Sequence, residues 1–97
     1  MASLIKTAQA GTLESSDIMI TVAPGLEGSG VIIELHSIVM AQYGDDIRLT
    51  LEKKVAEQEC TDIYIKAIDR GALDCTICAR VLTALTRAGL VLKEAML

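Results

Sequence analysis

The chain has 97 residues, 52% of them hydrophobic and 23% charged, a composition that predicts one folded domain over residues 1–97 and argues against disorder. A formal net charge of −4 and the absence of Phe and Trp disfavour phosphate backbones and base stacking, so we expect no nucleic-acid partner. No apolar run approaches the about 18 residues that span a bilayer, and the cysteines are odd in number. We therefore expect a cytoplasmic protein with reduced thiols and no membrane partner.

The first predicted elements are two strands. Residues 1–12 carry few periodic apolar positions, and we expect them to form a mobile arm. Alternating apolar residues predict a first strand over residues 16–22. A Pro-Gly pair ends it, and residues 27–30 indicate a flexible turn. The β-branched residues 31–36 predict a second, well-buried strand that forms an antiparallel hairpin with the first.

Two helices and a third strand follow. Apolar residues at every fourth position predict one helix over residues 38–59, because the repeat keeps its phase across Gly44. The alternative is a break at Gly44 and a new helix capped by Asp45. Residues 62–68 predict the third strand, and a second four-residue repeat predicts a helix over residues 73–88. The members of the two repeats are Val39, Tyr43, Ile47, Leu51 and Val55, then Leu73, Ile77, Val81 and Leu85.

The element order ββαβα predicts an α+β fold. We expect a small three-stranded antiparallel sheet of order 2-1-3 with both helices on one face, like half of a ferredoxin-like fold.

Two adjacent serines, Ser15 and Ser16, lie where small and hydroxylated residues meet the first predicted strand. The carboxylates of Glu14 and Asp17 flank them. Such a cluster is an ordinary loop signal at a strand end. A serine among small neighbours at the edge of an ordered element is also accessible to a modifying enzyme. Chemistry alone does not separate the two hydroxyls.

Residues 10–17, Ala-Gly-Thr-Leu-Glu-Ser-Ser-Asp, resemble the signature of the acyl carrier protein (gamma) subunit of citrate lyase. Residues 69–75, Asp-Arg-Gly-Ala-Leu-Asp-Cys, and residues 43–48, which begin Tyr-Gly-Asp, resemble the same family. Together with the overall length, the resemblance spans almost the whole chain. The predicted fold differs from the four-helix architecture usual for acyl carrier proteins, and their Asp-Ser-Leu attachment motif is absent.

The resemblance implies that Ser15, which directly follows Leu-Glu, carries phosphoribosyl-dephospho-coenzyme A through a phosphodiester. Some members of that family carry Gly at the position of Ser16, which favours Ser15. The family further implies three partners: an alpha subunit that exchanges acetyl for citrate on the thioester, a beta subunit that cleaves citryl-thioester to oxaloacetate and acetyl-thioester, and a prosthetic-group transferase. The chain itself would be a non-catalytic carrier.

The remaining reactive side chains do not form a recognisable site in the sequence. Cys75 and Cys78 make a single C-x-x-C, while Cys60 and His36 lack the spacing of zinc ligands. No nucleophile is accompanied by a base and an oxyanion hole, so we expect no catalytic residue and no metal. Of the flanking acids, Glu14 and the aspartate that follows the serines are predicted to help docking to basic partner surfaces.

Three other functions stay open. The carrier subunit of malonate decarboxylase uses the same kind of prosthetic group and fits the same features. A small non-enzymatic α+β interaction module would show an unmodified mass and no dependence on Ser15. A redox module would show rapid alkylation of Cys75 or Cys78 at neutral pH.

Overall fold

The computed structural model describes residues 4–91. The elements of this part are β1 (Ala8–Gly11), β2 (Ile18–Pro24), β3 (Val31–Ser37), α1 (Met40–Glu57), β4 (Ile63–Asp69) and α2 (Asp74–Arg87). The four strands form one sheet of order β1-β2-β4-β3. Within residues 4–91, no helix is both long enough and apolar enough to cross a bilayer.

The central strands β2 and β4 show the period of two that a half-buried sheet requires. They pair antiparallel, with Ile20 opposite Ala67. Every second residue is fully buried and faces the helices. These residues are Ile18, Ile20 and Val22 in β2 and Ile63, Ile65 and Ala67 in β4.

The helices α1 and α2 cover one face of the sheet and complete the core. Ile47, Leu51 and Val55 of α1 are buried together with the corresponding apolar residues of α2. The helix α1 runs through Gly44 without a break, which confirms the prediction from the preserved phase. Gly44 is buried, and a Cβ there would lie 2.9 Å from the Met40 sulfur.

The predicted three-stranded sheet is wrong, first because a strand was missed. Ala8–Gly11, inside the expected mobile arm, forms β1 and pairs antiparallel with β2. Leu4 is buried, and the Ile5 N–H donates to the Ala88 carbonyl at 2.9 Å. The arm is therefore not observed over residues 4–11, and residues 1–3 lie outside the described part. A four-residue strand without a β-branched side chain carries little local signal.

The predicted antiparallel hairpin and the order 2-1-3 are also wrong. β4 lies between β2 and β3, antiparallel to the former and parallel to the latter, so the sheet is mixed. The parallel pair β3 and β4 needs a long crossover, which α1 supplies. β3 is consequently an edge strand, and its Val31 and Ile32 are exposed rather than well buried.

Candidate functional site

The segment between β1 and β2 is a tight turn with Ser15 and Ser16 at its tip. The Asp17 N–H donates to the Glu14 carbonyl at 3.2 Å, which closes a four-residue turn over residues 14–17. Ser16 has φ of +62°, the left-handed conformation that glycine adopts at least cost.

A β-bulge fastens this turn to the residue that follows β4. The Ser16 N–H donates to the Arg70 carbonyl at 2.8 Å, and the Arg70 N–H donates to the Asp17 carbonyl at 2.9 Å. Two residues thus oppose one, and the first of the two is left-handed, which is the G1 type of bulge. The extra residue interrupts the strand alternation, so Asp17 and Ile18 are both buried.

Gly11 makes the entry to the turn possible. Its φ is +97°, and a Cβ at this position would collide with the Ile18 carbonyl oxygen and lie 3.3 Å from Cδ of Arg80. The backbone therefore requires glycine both for its conformation and for its close approach to β2. This accounts physically for the Gly of the Ala-Gly-Thr stretch.

The carboxylate of Asp17 holds the turn from the buried side. Thr12 Oγ1 donates to one oxygen at 2.7 Å, and the Ile18 N–H donates to the other at 2.7 Å. Arg80 of α2 donates to both, from Nε at 3.1 Å and from Nη2 at 3.0 Å, in the bidentate geometry that strengthens such pairs. These bonds, that from Arg80 foremost, hold the pKa of the Asp17 carboxyl well below its usual range.

The internal bonding leaves two free hydroxyls in the turn. The Thr12 hydroxyl is engaged, since it donates to Asp17 and accepts from the Glu14 N–H at 3.2 Å. Ser15 and Ser16 are exposed, and neither hydroxyl has a hydrogen-bond partner among residues 4–91. The turn therefore presents an accessible serine on a backbone that is fixed at both ends.

The role predicted for Asp17 in docking does not fit this geometry, because its carboxylate is buried and bonded internally. Glu14 is exposed. Arg80, which lies 63 positions away from Asp17, was not predicted as part of this site. The one indication of its role in the sequence was that a cationic residue directly precedes Val81, a core-facing position of the second helical repeat.

A second buried carboxylate lies beside the bulge and ties neighbouring segments together. Asp69 is buried at the end of β4, accepts from Ser37 Oγ at 2.8 Å and accepts from the Ala72 N–H at 2.9 Å. The loop between β4 and α2 is thereby tied to the end of β3. A groove of about 640 Å³ lies between this loop and α1, lined by apolar residues and carboxylates.

The other reactive residues considered in the sequence lie apart from one another. Cys75 is exposed and Cys78 is half-buried near the start of α2, whereas Cys60 is buried, and burial raises the pKa of its thiol. His36 is exposed on β3, with Nε2 2.8 Å from a Glu34 carboxylate oxygen. Among residues 4–91, no three His, Cys, Asp or Glu side chains are grouped so as to hold a metal ion.

The chain is similar to known proteins along most of its length. The family model described as malonate decarboxylase delta subunit (MdcD) matches residues 5–88. Proteins named citrate lyase acyl carrier protein are similar along most of the chain. That of Streptococcus equi subsp. equi is 47% identical and covers 84% of this chain and 78% of its own. That of Halothermothrix orenii is 48% identical and covers 86% of each chain.

Solved structures show the same fold. A chain in the crystal structure of a Pseudomonas malonate decarboxylase hetero-tetramer in complex with malonate superimposes with a TM-score of 0.76. The alignment covers 90% of this chain and 88% of that chain at 19% identity.

The chain is a small α+β domain that holds an exposed serine on a turn whose backbone is bonded at both ends. The identities to the curated relatives confirm the resemblance based on residues 10–17: the chain belongs to the citrate lyase acyl carrier protein family. The names of these relatives support an acyl carrier role, and such carriers hold their acyl group on a covalently bound prosthetic group.

Proposed function

We propose that the chain is the acyl carrier subunit of citrate lyase and that Ser15 carries phosphoribosyl-dephospho-coenzyme A through a phosphodiester. The observation that carries the proposal is the exposed Ser15 hydroxyl, which has no hydrogen-bond partner among residues 4–91, in the Leu-Glu-Ser-Ser context. A covalent attachment needs an accessible hydroxyl and no preformed pocket, so the turn fits the group.

The group, when bound, supplies a thiol that carries acyl groups as thioesters. The chain's own residues position it. Asp17 and Arg80 hold the turn against α2, and Arg70 holds it against β4. The chain contributes no catalytic residue in this proposal. An alpha subunit, a beta subunit and a prosthetic-group transferase supply the catalysis, and tethering raises the local concentration of the acyl group at their active sites.

The backbone at the turn supports Ser15 over Ser16 as the attached residue. Ser16 occupies the left-handed first position of the bulge, where the backbone favours glycine and no side chain is needed. Glycine at this position is compatible with the turn.

Two matched variants test the assignment. Each is produced with the prosthetic-group transferase and its donor, and the intact mass is measured, followed by peptide mapping. Ser15→Ala is expected to keep the unmodified mass, because the attachment oxygen is gone. Ser16→Gly is expected to gain the full mass of the group and to be at least as stable as the wild type, because it relieves the left-handed conformation.

A mass gain retained by Ser15→Ala and lost by Ser16→Gly would move the site to Ser16. A wild-type chain that stays unmodified in a host shown to contain the transferase would favour the interaction module instead.

A second candidate, the carrier subunit of malonate decarboxylase, is favoured by the description of the family model and by the shared fold. The curated relatives at 45–49% identity are named for citrate lyase, whereas the malonate decarboxylase chain is 19% identical, and we therefore place citrate lyase first. Binding to purified alpha subunits of the two enzymes distinguishes them, since the cognate subunit alone should bind.

A further inference from the structure

The groove between α1 and the β4–α2 loop exposes apolar side chains that the helical repeats assign to the core. Tyr43 and Leu73 continue the repeats of Ile47 and Ile77, which are buried, yet they are 50% and 70% exposed. Leu49, also in the groove, is 63% exposed. The apolar stripes of both helices thus extend beyond the region in which the helices pack. An apolar surface of this kind is typical of an interaction site.

The charge around the groove has one sign. Asp46, Asp69 and Asp74 contribute to its lining, and among the described residues no Lys, Arg or His does. Asp69 is bonded internally, whereas Asp46 and Asp74 are exposed and form no ion pair within residues 4–91. These two exposed carboxylates form an acidic rim of the groove, which attracts cationic groups and repels anionic ones.

The groove lies next to the segment that pairs with the Ser15 turn. Gly71 lines the groove and directly follows Arg70, whose backbone bonds to Ser16 and Asp17. Consecutive Cα atoms lie about 3.8 Å apart, so the turn and the groove both adjoin one short segment, residues 70–71. A protein that approaches Ser15 along this segment contacts the groove.

We propose that this groove is the docking site for the proteins that act on Ser15 or on the group it carries, and that the matching surface has an apolar anchor flanked by Lys or Arg. The inference rests on the proposed function. The chain's own prosthetic group is a poorer occupant, because its phosphates would meet Asp46 and Asp74 without a cation in the groove lining among residues 4–91.

The test measures binding of the full-length apo chain to the purified alpha subunit and to the purified prosthetic-group transferase, each by isothermal titration calorimetry. Leu73→Ser removes an apolar contact and Asp46→Lys reverses a rim charge. We expect either change to raise Kd about ten-fold or more, as for central interface residues. The matched controls are Leu26→Ser, at a leucine 83% exposed outside the groove, and Glu52→Lys on the same helix. Both should leave Kd within about two-fold.

The outcomes separate the two proposals. A wild-type chain that binds neither protein would count against the proposed function and against the docking site together. Binding by the wild type that Leu73→Ser and Asp46→Lys retain would overturn the docking site alone. Amide NMR signals of the groove that shift when Ser15 is loaded, with no partner present, would assign the groove to the prosthetic group and also overturn it.

Discussion

Asp17 joins three parts of the chain through one carboxylate. It accepts from Thr12 in the turn, from the Ile18 N–H in β2 and from both guanidinium donors of Arg80 in α2. The position and rigidity of the Ser15 turn therefore depend on an ionised side chain that is itself buried. A change at Asp17 should alter the stability of the fold and the presentation of Ser15 together.

Asp17→Asn is expected to lower the free energy of unfolding at neutral pH and to weaken its dependence on acidic pH. The bonds to the ionised carboxylate place its pKa in the folded protein below the value of about 3.9 in an unfolded chain. The stabilisation is thus complete above that value and is lost as the pH falls below it towards the folded pKa. Urea denaturation from about pH 7 to about pH 3 measures it.

Glu14→Gln, at the exposed neighbour of the serines, is the control and should follow the wild-type curve. An Asp17→Asn variant with the same pH profile as the wild type would show that the pair with Arg80 does not stabilise the fold.

At this scale, the sequence indicated a loop cluster at Ser15 and Ser16, but it placed Ser16 in the first strand, which begins only at Ile18. It did not predict how the turn is held. Small and hydroxylated residues next to an apolar run are a local pattern. The contact between Asp17 and Arg80 spans 63 positions, and no local pattern encodes it. The left-handed conformation of Ser16 was likewise hidden, because serine does not signal it as glycine does.

At the scale of elements, α1 holds two leucines, two positions apart, in opposite environments. Leu51 continues the core repeat and is fully buried, whereas Leu49 lies in the groove and is largely exposed. Replacing each leucine with alanine therefore compares the loss of stability at a buried position with that at an exposed position of the same helix.

Leu51→Ala is expected to cost about 2–5 kcal/mol of unfolding free energy, because it removes buried methyl groups and leaves a cavity. Leu49→Ala should change stability by about 0.5 kcal/mol or less, as at other exposed sites. Urea denaturation of both variants checks the difference. Equal losses would contradict the assignment of Leu49 to an open groove.

The elements themselves were largely predictable, and their pairing was not. Periodicity predicted both helices and the three longer strands to within a few residues, because alternation reports which side chains face a core. It does not report which strand lies next to which. The place of β4 between β2 and β3 follows from the crossover through α1, and the short strand β1 depends on its pairing with β2.

On the scale of the whole molecule, the two faces of the sheet differ. The helices cover one face, and the other carries a polar cluster in which Glu34 bonds to His36 and Tyr64 and lies 4.0 Å from Lys66. The bonds from His36 and Tyr64 lower the pKa of the Glu34 carboxyl. The Ser15 turn and the acidic groove instead adjoin the loop that leaves β4. The surfaces proposed to act with partners are thus gathered around one loop.

The turn that bears Ser15 takes its shape only in the folded chain, because the bulge at Ser16 is held by residues from distant parts of the sequence. Its partner Arg70 and the Asp17 partner Arg80 belong to the last third of the chain. We therefore expect the prosthetic-group transferase to modify the full chain and to leave a synthetic peptide of residues 8–20 unmodified under the same conditions, as followed by mass spectrometry. A peptide modified at the rate of the full chain would contradict this.

A chain still emerging from the ribosome has the serine but lacks the residues that shape its surroundings. Attachment of the prosthetic group would then distinguish folded from unfolded molecules. Chains that have already folded would be modified, and unfinished or damaged chains would stay unmodified.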